Sequence, residues 1–61
     1  MRVILADDHR LVRAGLRALL ESYDDIQVLA ECGDGHECLR QVEQHQPDVL
    51  LLDLTMPGLN G

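Results

Sequence analysis

The feature that most constrains this chain is Val49-Leu50-Leu51-Leu52-Asp53, an aliphatic run that ends in a carboxylate and is cut shortly afterwards, past Leu54-Thr55-Met56, by Pro57-Gly58. An apolar run without alternation reads as a strand covered on both faces, and therefore as part of a parallel sheet. Asp53 then falls at the C-terminal end of that strand, where open α/β folds place their ligands. For one Asp taken alone, a polar stop or turn cap would be a sufficient account. A second acidic site near the other end of the chain argues against it.

That site follows another short apolar run. Arg2 to Ala6 reads as a buried strand, and Asp7-Asp8 ends it abruptly. From Leu11 to Ser22 the apolar residues Val12, Leu16, Leu19 and Leu20 fall at helical spacing, with Arg10, Arg13, Arg17 and Glu21 directed mainly outward. This predicts an amphipathic helix packed on the sheet. Gly15 inside it lowers helix propensity by about 1 kcal/mol relative to Ala, which a close approach to the sheet would explain. Ile26 to Glu31 alternates as an edge strand should, with Leu29 out of pattern. Cys32-Gly33-Asp34-Gly35 is a turn, and Asp34 with Glu37 predicts a capped second helix whose buried stripe is Leu39 and Val42, with Cys38 beside them. Gln46-Pro47 ends it, because the residue before proline is pushed out of the helical region.

Strand, helix, strand, helix, strand with short connections implies a parallel sheet with right-handed crossovers. The third strand can pair with the second or the first. Pairing with the first gives the order 2-1-3, a chain reversal between strands 1 and 3, and a crevice on which Asp7, Asp8 and Asp53 converge. Two carboxylates about 4 Å apart repel by roughly 4 kcal/mol at an effective dielectric of 20, so a proton or a cation must sit among them. A few carboxylates, a main-chain carbonyl and water suit Mg²⁺, and hard oxygen ligands argue against zinc or copper. A carboxylate in this setting can also attack phosphorus. The plainer alternative is that Asp7 terminates a strand and Asp8 caps the first helix.

Composition narrows the partners. A formal charge of -6 repels phosphate backbones, and the absence of Trp and Phe removes any base-stacking platform, so direct nucleic-acid binding is not expected. The apolar stretches are too short for a membrane span. Cys32 and Cys38 do not make a disulfide scaffold, and no basic-then-apolar leader is visible, which points to a reducing cytoplasmic setting. At 61 residues the chain is at most one domain of marginal stability. His9, His36 and His45 with Cys32 and Cys38 fit no zinc spacing. His9 adjoins the acid pair and could touch an incoming phosphoryl group.

Taken together, Leu5-Ala6-Asp7-Asp8-His9, Leu11-Val12-Arg13-Ala14-Gly15-Leu16 and the loop from Asp53 to Gly61 resemble the N-terminal half of a response-regulator receiver domain of bacterial two-component signalling, in its NarL/FixJ (LuxR-type) subfamily. The resemblance covers residues 1–61 and implies the first half of a flavodoxin-like (CheY-like) doubly wound fold, with a three-stranded parallel sheet and two helices. It implies that Asp53 accepts a phosphoryl group from a sensor histidine kinase, and that Asp8, Asp53 and the main-chain carbonyl of Thr55 hold Mg²⁺, with Asp7 acting through water. It further implies a phosphoacceptor rather than a turnover enzyme, in a parent protein that controls transcription.

The chain departs from the family pattern by stopping where helix 3 should begin. The Ser or Thr ending strand 4, the Lys ending strand 5 and a DNA-binding output domain are not in the sequence. An unpaired third strand invites a second reading, a homodimer or other self-association through that edge without phosphotransfer. A third reading, a Mg²⁺-dependent phosphohydrolase, is weakened because Thr55 stands where a second acid would be needed.

Overall fold

Arg2–Ala6 forms the central strand, β1, of a three-stranded parallel sheet, and the computed structural model describes residues 1–53. The remaining elements are α1 (Arg10–Glu21), β2 (Gln27–Cys32), α2 (Gly35–His45) and β3 (Val49–Leu52). The sheet order is β2-β1-β3, so of the two open orders the third strand takes the one beside the first. Thr55 and the Pro57-Gly58 turn lie outside the described residues.

Val3, Ile4, Leu5 and Ala6 are all buried, as a strand covered on both faces must be. Removing a Val, Leu or Ile side chain from water is worth about 1.5–3 kcal/mol as an upper figure, so β1 anchors the fold. On one face Ile4, Ala6 and Cys32 pack with Cys38 of α2, flanked by Leu29, Ala30 and Val42. On the other, Leu5 and Leu16 of α1 line an open cleft with Leu51 and Leu52 of β3.

β2 pairs with β1 through Val3–Val28 and then Ile4–Ala30, so Leu29 is the extra residue of a bulge. Its departure from the alternating pattern has this cause. Asp34 caps α2 by accepting from the Glu37 N–H at 2.8 Å, worth about 1 kcal/mol. Glu37 does not complete a reciprocal box, since its side chain bonds Arg40 and Gln41 instead. At the other end Gln46 is left-handed, with φ 49°, and its N–H reaches the Val42 carbonyl at 2.8 Å before Pro47 redirects the chain. The Arg2 guanidinium donates to the carbonyls of His45 at 2.7 Å and Gln46 at 3.0 Å, while Asp48 Oδ2 accepts from the Arg2 N–H at 2.8 Å. These bonds seat the α2–β3 corner at the start of β1 and so place β3 beside it.

Five expectations from the sequence need correction. Arg13 and Arg17 turn inward to Glu31 of β2, because paired charges are more stable at the sheet margin than an isolated Glu31 would be. Val12, Leu16 and Leu19 are exposed, since α1 meets the sheet through a neighbouring stripe that includes Arg13, Arg17 and Leu20. In α2 the buried line is Gly35, Cys38 and Val42, at i, i+3 and i+7, which leaves Leu39 outside it. Leu50, Leu51 and Leu52 are each more than a third exposed, because β3 is a sheet edge among the described residues. Nor does Gly15 mark a close approach, for a Cβ built there meets nothing within 4 Å.

Candidate functional site

The parallel register brings the two ends of the chain together. Ala6 stands opposite Leu52, and each strand then gives way to an Asp. The Asp7 N–H continues the ladder to the Cys32 carbonyl at 3.0 Å, and the Asp53 N–H continues it to the Ala6 carbonyl at 2.9 Å. Asp7 and Asp53 are thus neighbours on adjacent strands, whose usual spacing is about 4.8 Å.

Asp7 is buried and held at three atoms. Besides its ladder bond, its carbonyl accepts from Arg13 Nη1 at 2.8 Å, and its Oδ1 accepts from the His9 N–H at 2.7 Å. Arg13 is itself fixed by Glu31, with Nε 3.0 Å from Oε1. Asp8 does not cap α1. The residue at that position is His9, whose side chain makes no cap bond, and so the plainer account of Asp8 does not hold.

Asp7, Asp8, His9 and Asp53 each present a ligand atom, and the four atoms lie within 4.8 Å of one another. His9 Nδ1 sits 3.1 Å from Asp7 Oδ1, 3.0 Å from Asp8 Oδ1 and 3.5 Å from Asp53 Oδ2. The Asp7 hydrogen bond and the charges of Asp8, Asp7 and Asp53 raise the His9 pKa above its ordinary 6.5. The three carboxylates thus favour the charged form of the imidazole. Nothing in the sequence marks His9 as central to the cluster. Its signal was adjacency to the acid pair.

The acidic donor set fits a hard divalent cation, with carboxylate oxygens on a partly exposed rim. Thr55, assigned a carbonyl ligand from the resemblance, lies outside the described residues. His36 and His45 are not in the cluster, and Cys32 and Cys38 are buried free thiols in the core beneath α2. Burial, followed by the neighbouring Cys38, pushes the Cys32 thiol up to about 12.

Residues 3–61 match the response regulator receiver domain family. The chain belongs to that family. This receiver is 49% identical over 61 residues to the transcriptional regulatory protein LiaR of Bacillus subtilis, covering all of the chain and 29% of LiaR. It superposes on the signal receiver domain of the putative response regulator NarL of Mycobacterium tuberculosis with a TM-score of 0.90 and 42% identity, over 93% of this chain and 46% of that one. RcsB from Salmonella enterica serovar Typhimurium, solved bound to promoter rprA in the presence of phosphomimetic BeF3-, gives a TM-score of 0.88 at 37% identity, over 93% of this chain and 28% of RcsB. The receiver thus corresponds to the N-terminal part of NarL/LiaR-type regulators and spans under a third of LiaR. The three parallel strands in order 2-1-3 with two helices match part of a CheY-like receiver fold.

Proposed function

We propose that this receiver accepts a phosphoryl group on Asp53 from a phosphohistidine of a sensor kinase, in the cytoplasm, as the input step of a regulator that controls transcription. The observation that carries the proposal is the meeting of Asp7, Asp8 and Asp53 at one rim, within the reach of a single small ion. Family membership supports it, and so does the likeness to RcsB, which was solved in the presence of phosphomimetic BeF3-.

Mg²⁺ bound at the cluster would neutralise charge on the phosphoryl oxygens and leave room for water in its shell. In this reading Asp8 and Asp53 hold the ion directly, with the Thr55 carbonyl, and Asp7 holds it through water. Asp53 supplies the attacking oxygen: its O–P bond forms as the P–N bond of the phosphohistidine breaks, and the released imidazole nitrogen takes a proton. Asp7, locked by Cys32, Arg13 and His9, keeps the rim from splaying under its own repulsion. The product is an acyl phosphate, which adds roughly -1.5 to -2 charge beside the ion. The chain is a phosphoacceptor and not a turnover enzyme.

Incubation of the 61-residue chain with Mg²⁺ and a small acyl phosphate, followed by intact mass, tests this. One added phosphoryl group is expected in the wild type and none in Asp53→Asn. A label that persists in Asp53→Asn removes the assignment.

A further inference from the structure

We propose that Arg13 is a positioning residue of the acidic rim: by holding the Asp7 carbonyl it fixes the Asp7-Asp8 peptide, and so sets Asp8 against Asp53 for the divalent ion. This rests on the metal-site reading above and adds to it a residue that acts through the main chain, not as a ligand. Arg13 Nη1 donates to the Asp7 carbonyl at 2.8 Å. A peptide unit is planar, so a carbonyl held in one direction also fixes the path by which the chain enters the next residue. That residue is Asp8, whose ligand atom lies within 4.8 Å of those of Asp7, His9 and Asp53.

The guanidinium stands where the sheet runs out of donors. The Asp7 N–H still pairs with the Cys32 carbonyl at 3.0 Å, but β2 ends at Cys32 and Asp34 is already the N-cap of α2. In a regular parallel ladder the Asp7 carbonyl would accept next from the main chain of that strand, and Arg13 takes this place. Gly33 leaves the space, since a Cβ built there would lie 3.3 Å from Arg13 Nη1. The other edge of the fork is fixed as well: Nε donates to Glu31 Oε1 at 3.0 Å, and Glu31 Oε2 is held by Arg17. The Arg13 and Glu31 side chains are only 20% and 24% exposed, which shields these bonds from competing water. A guanidinium tied at both edges has one orientation to offer. Glu31 therefore acts on the rim through Arg13.

Calorimetric titration of the 61-residue chain with Mg²⁺, acyl-phosphate labelling over a Mg²⁺ series and the Asp7 carbonyl-carbon shift of the ion-free chain test this together. In Arg13→Gln the carbonyl resonance should move upfield as its donor leaves, and Mg²⁺ affinity should fall by about tenfold. The labelling rate should drop at low Mg²⁺ and recover at saturating Mg²⁺, because Asp53 itself is untouched. Glu31→Gln should give a smaller loss of affinity, and the double variant no more than Arg13→Gln alone, since members of one network are not additive. Val42→Ala loosens the core under α2 without touching Arg13, and its Mg²⁺ affinity should stay that of the wild type. Circular dichroism reports that each variant folds. Wild-type affinity in a folded Arg13→Gln, or an equal loss in Val42→Ala, overturns the role of Arg13 and leaves the metal site standing. If Arg13→Gln does not fold, Glu31→Gln decides, and wild-type affinity there overturns the proposal. Failure of the wild type to bind Mg²⁺ overturns the metal-site reading and this one with it.

Discussion

Arg13 in α1 donates from Nη1 to the main-chain carbonyl of Asp7 at 2.8 Å, and its Nε grips Glu31 Oε1 at 3.0 Å. One guanidinium therefore ties helix, central strand and edge strand together directly beneath the acidic rim. A charge-assisted hydrogen bond contributes about 1.5–3 kcal/mol, and partial exposure of this pair lowers the figure. Arg13→Ala should cost about 1–2 kcal/mol in urea denaturation and weaken divalent-ion binding, since it frees the Asp7 carbonyl. Arg13→Lys should restore little, because an ammonium cannot hold Glu31 and the carbonyl with a planar fork.

In the metal-free chain His9 should titrate above 6.5, with a midpoint followed by the ring-proton chemical shift, and Asp8→Asn should lower it. The sign for stability follows from linkage. The folded state holds this proton more tightly than the unfolded chain, so the contribution is complete below about 6.5 and disappears as pH rises through the folded-state midpoint. His9→Ala should flatten that part of the pH–stability curve. A wild-type midpoint at or below 6.5 would contradict the arrangement of His9 among the three carboxylates.

The Cys32 thiol, pushed up to about 12 by burial and by Cys38, should resist thiol reagents in the folded chain. Disulfide-exchange kinetics with a chromogenic reagent at pH 8 should be slow and should accelerate in urea. Because the folded state retains this proton, stability should decline as pH climbs past the ordinary 9.0 of a thiol. Rapid labelling of Cys32 in the absence of denaturant would mean that the core under α2 is not closed.

Gly15→Ala should stabilise the chain by about 0.5–1 kcal/mol, read as a higher urea midpoint. An added methyl group meets nothing within 4 Å, and α1 gains a better helix former in its interior.

The exposed Leu50, Leu51 and Leu52 on an edge strand, with Leu16 across the cleft, should drive association as concentration rises. Sedimentation velocity over a concentration series should detect it, and Leu51→Glu should reduce it. A concentration-independent monomer would dispose of the pairing expected for that edge.

The topology was legible because each strand–helix unit carries its own signal: unbroken aliphatic runs at Arg2–Ala6 and Val49–Leu52, punctuated by Asp34 and Gln46-Pro47. The convergence of Asp7, Asp8 and Asp53 followed from that topology. What could not be read was which polar side chains turn inward. Helical spacing assigns Arg13 and Arg17 to the solvent face, and only the placement of Glu31 on the neighbouring strand reverses this. Likewise the spacing identified α1's apolar stripe without revealing that Val12, Leu16 and Leu19 have no cover among the described residues. His9 was undervalued because nothing in a one-dimensional pattern says that its ring falls between carboxylates contributed by both ends of the chain.

The irregularity at Leu29 decides which way the last residues of β2 look. Beyond it Glu31 is paired with Leu5 and meets the two arginines of α1, and Cys32 is paired with Ala6 and joins the thiol of α2. Without the bulge Leu29 would stand opposite Ile4 and Glu31 opposite Ala6, which exchanges the two sides of the strand end. The anionic anchor would then lie in an aliphatic interior and the sulfur against guanidinium groups. A mutant lacking Leu29, by contrast, pairs Ala30 with Ile4 directly after Val28 with Val3 and should keep both side chains, and a cooperative melt, in place.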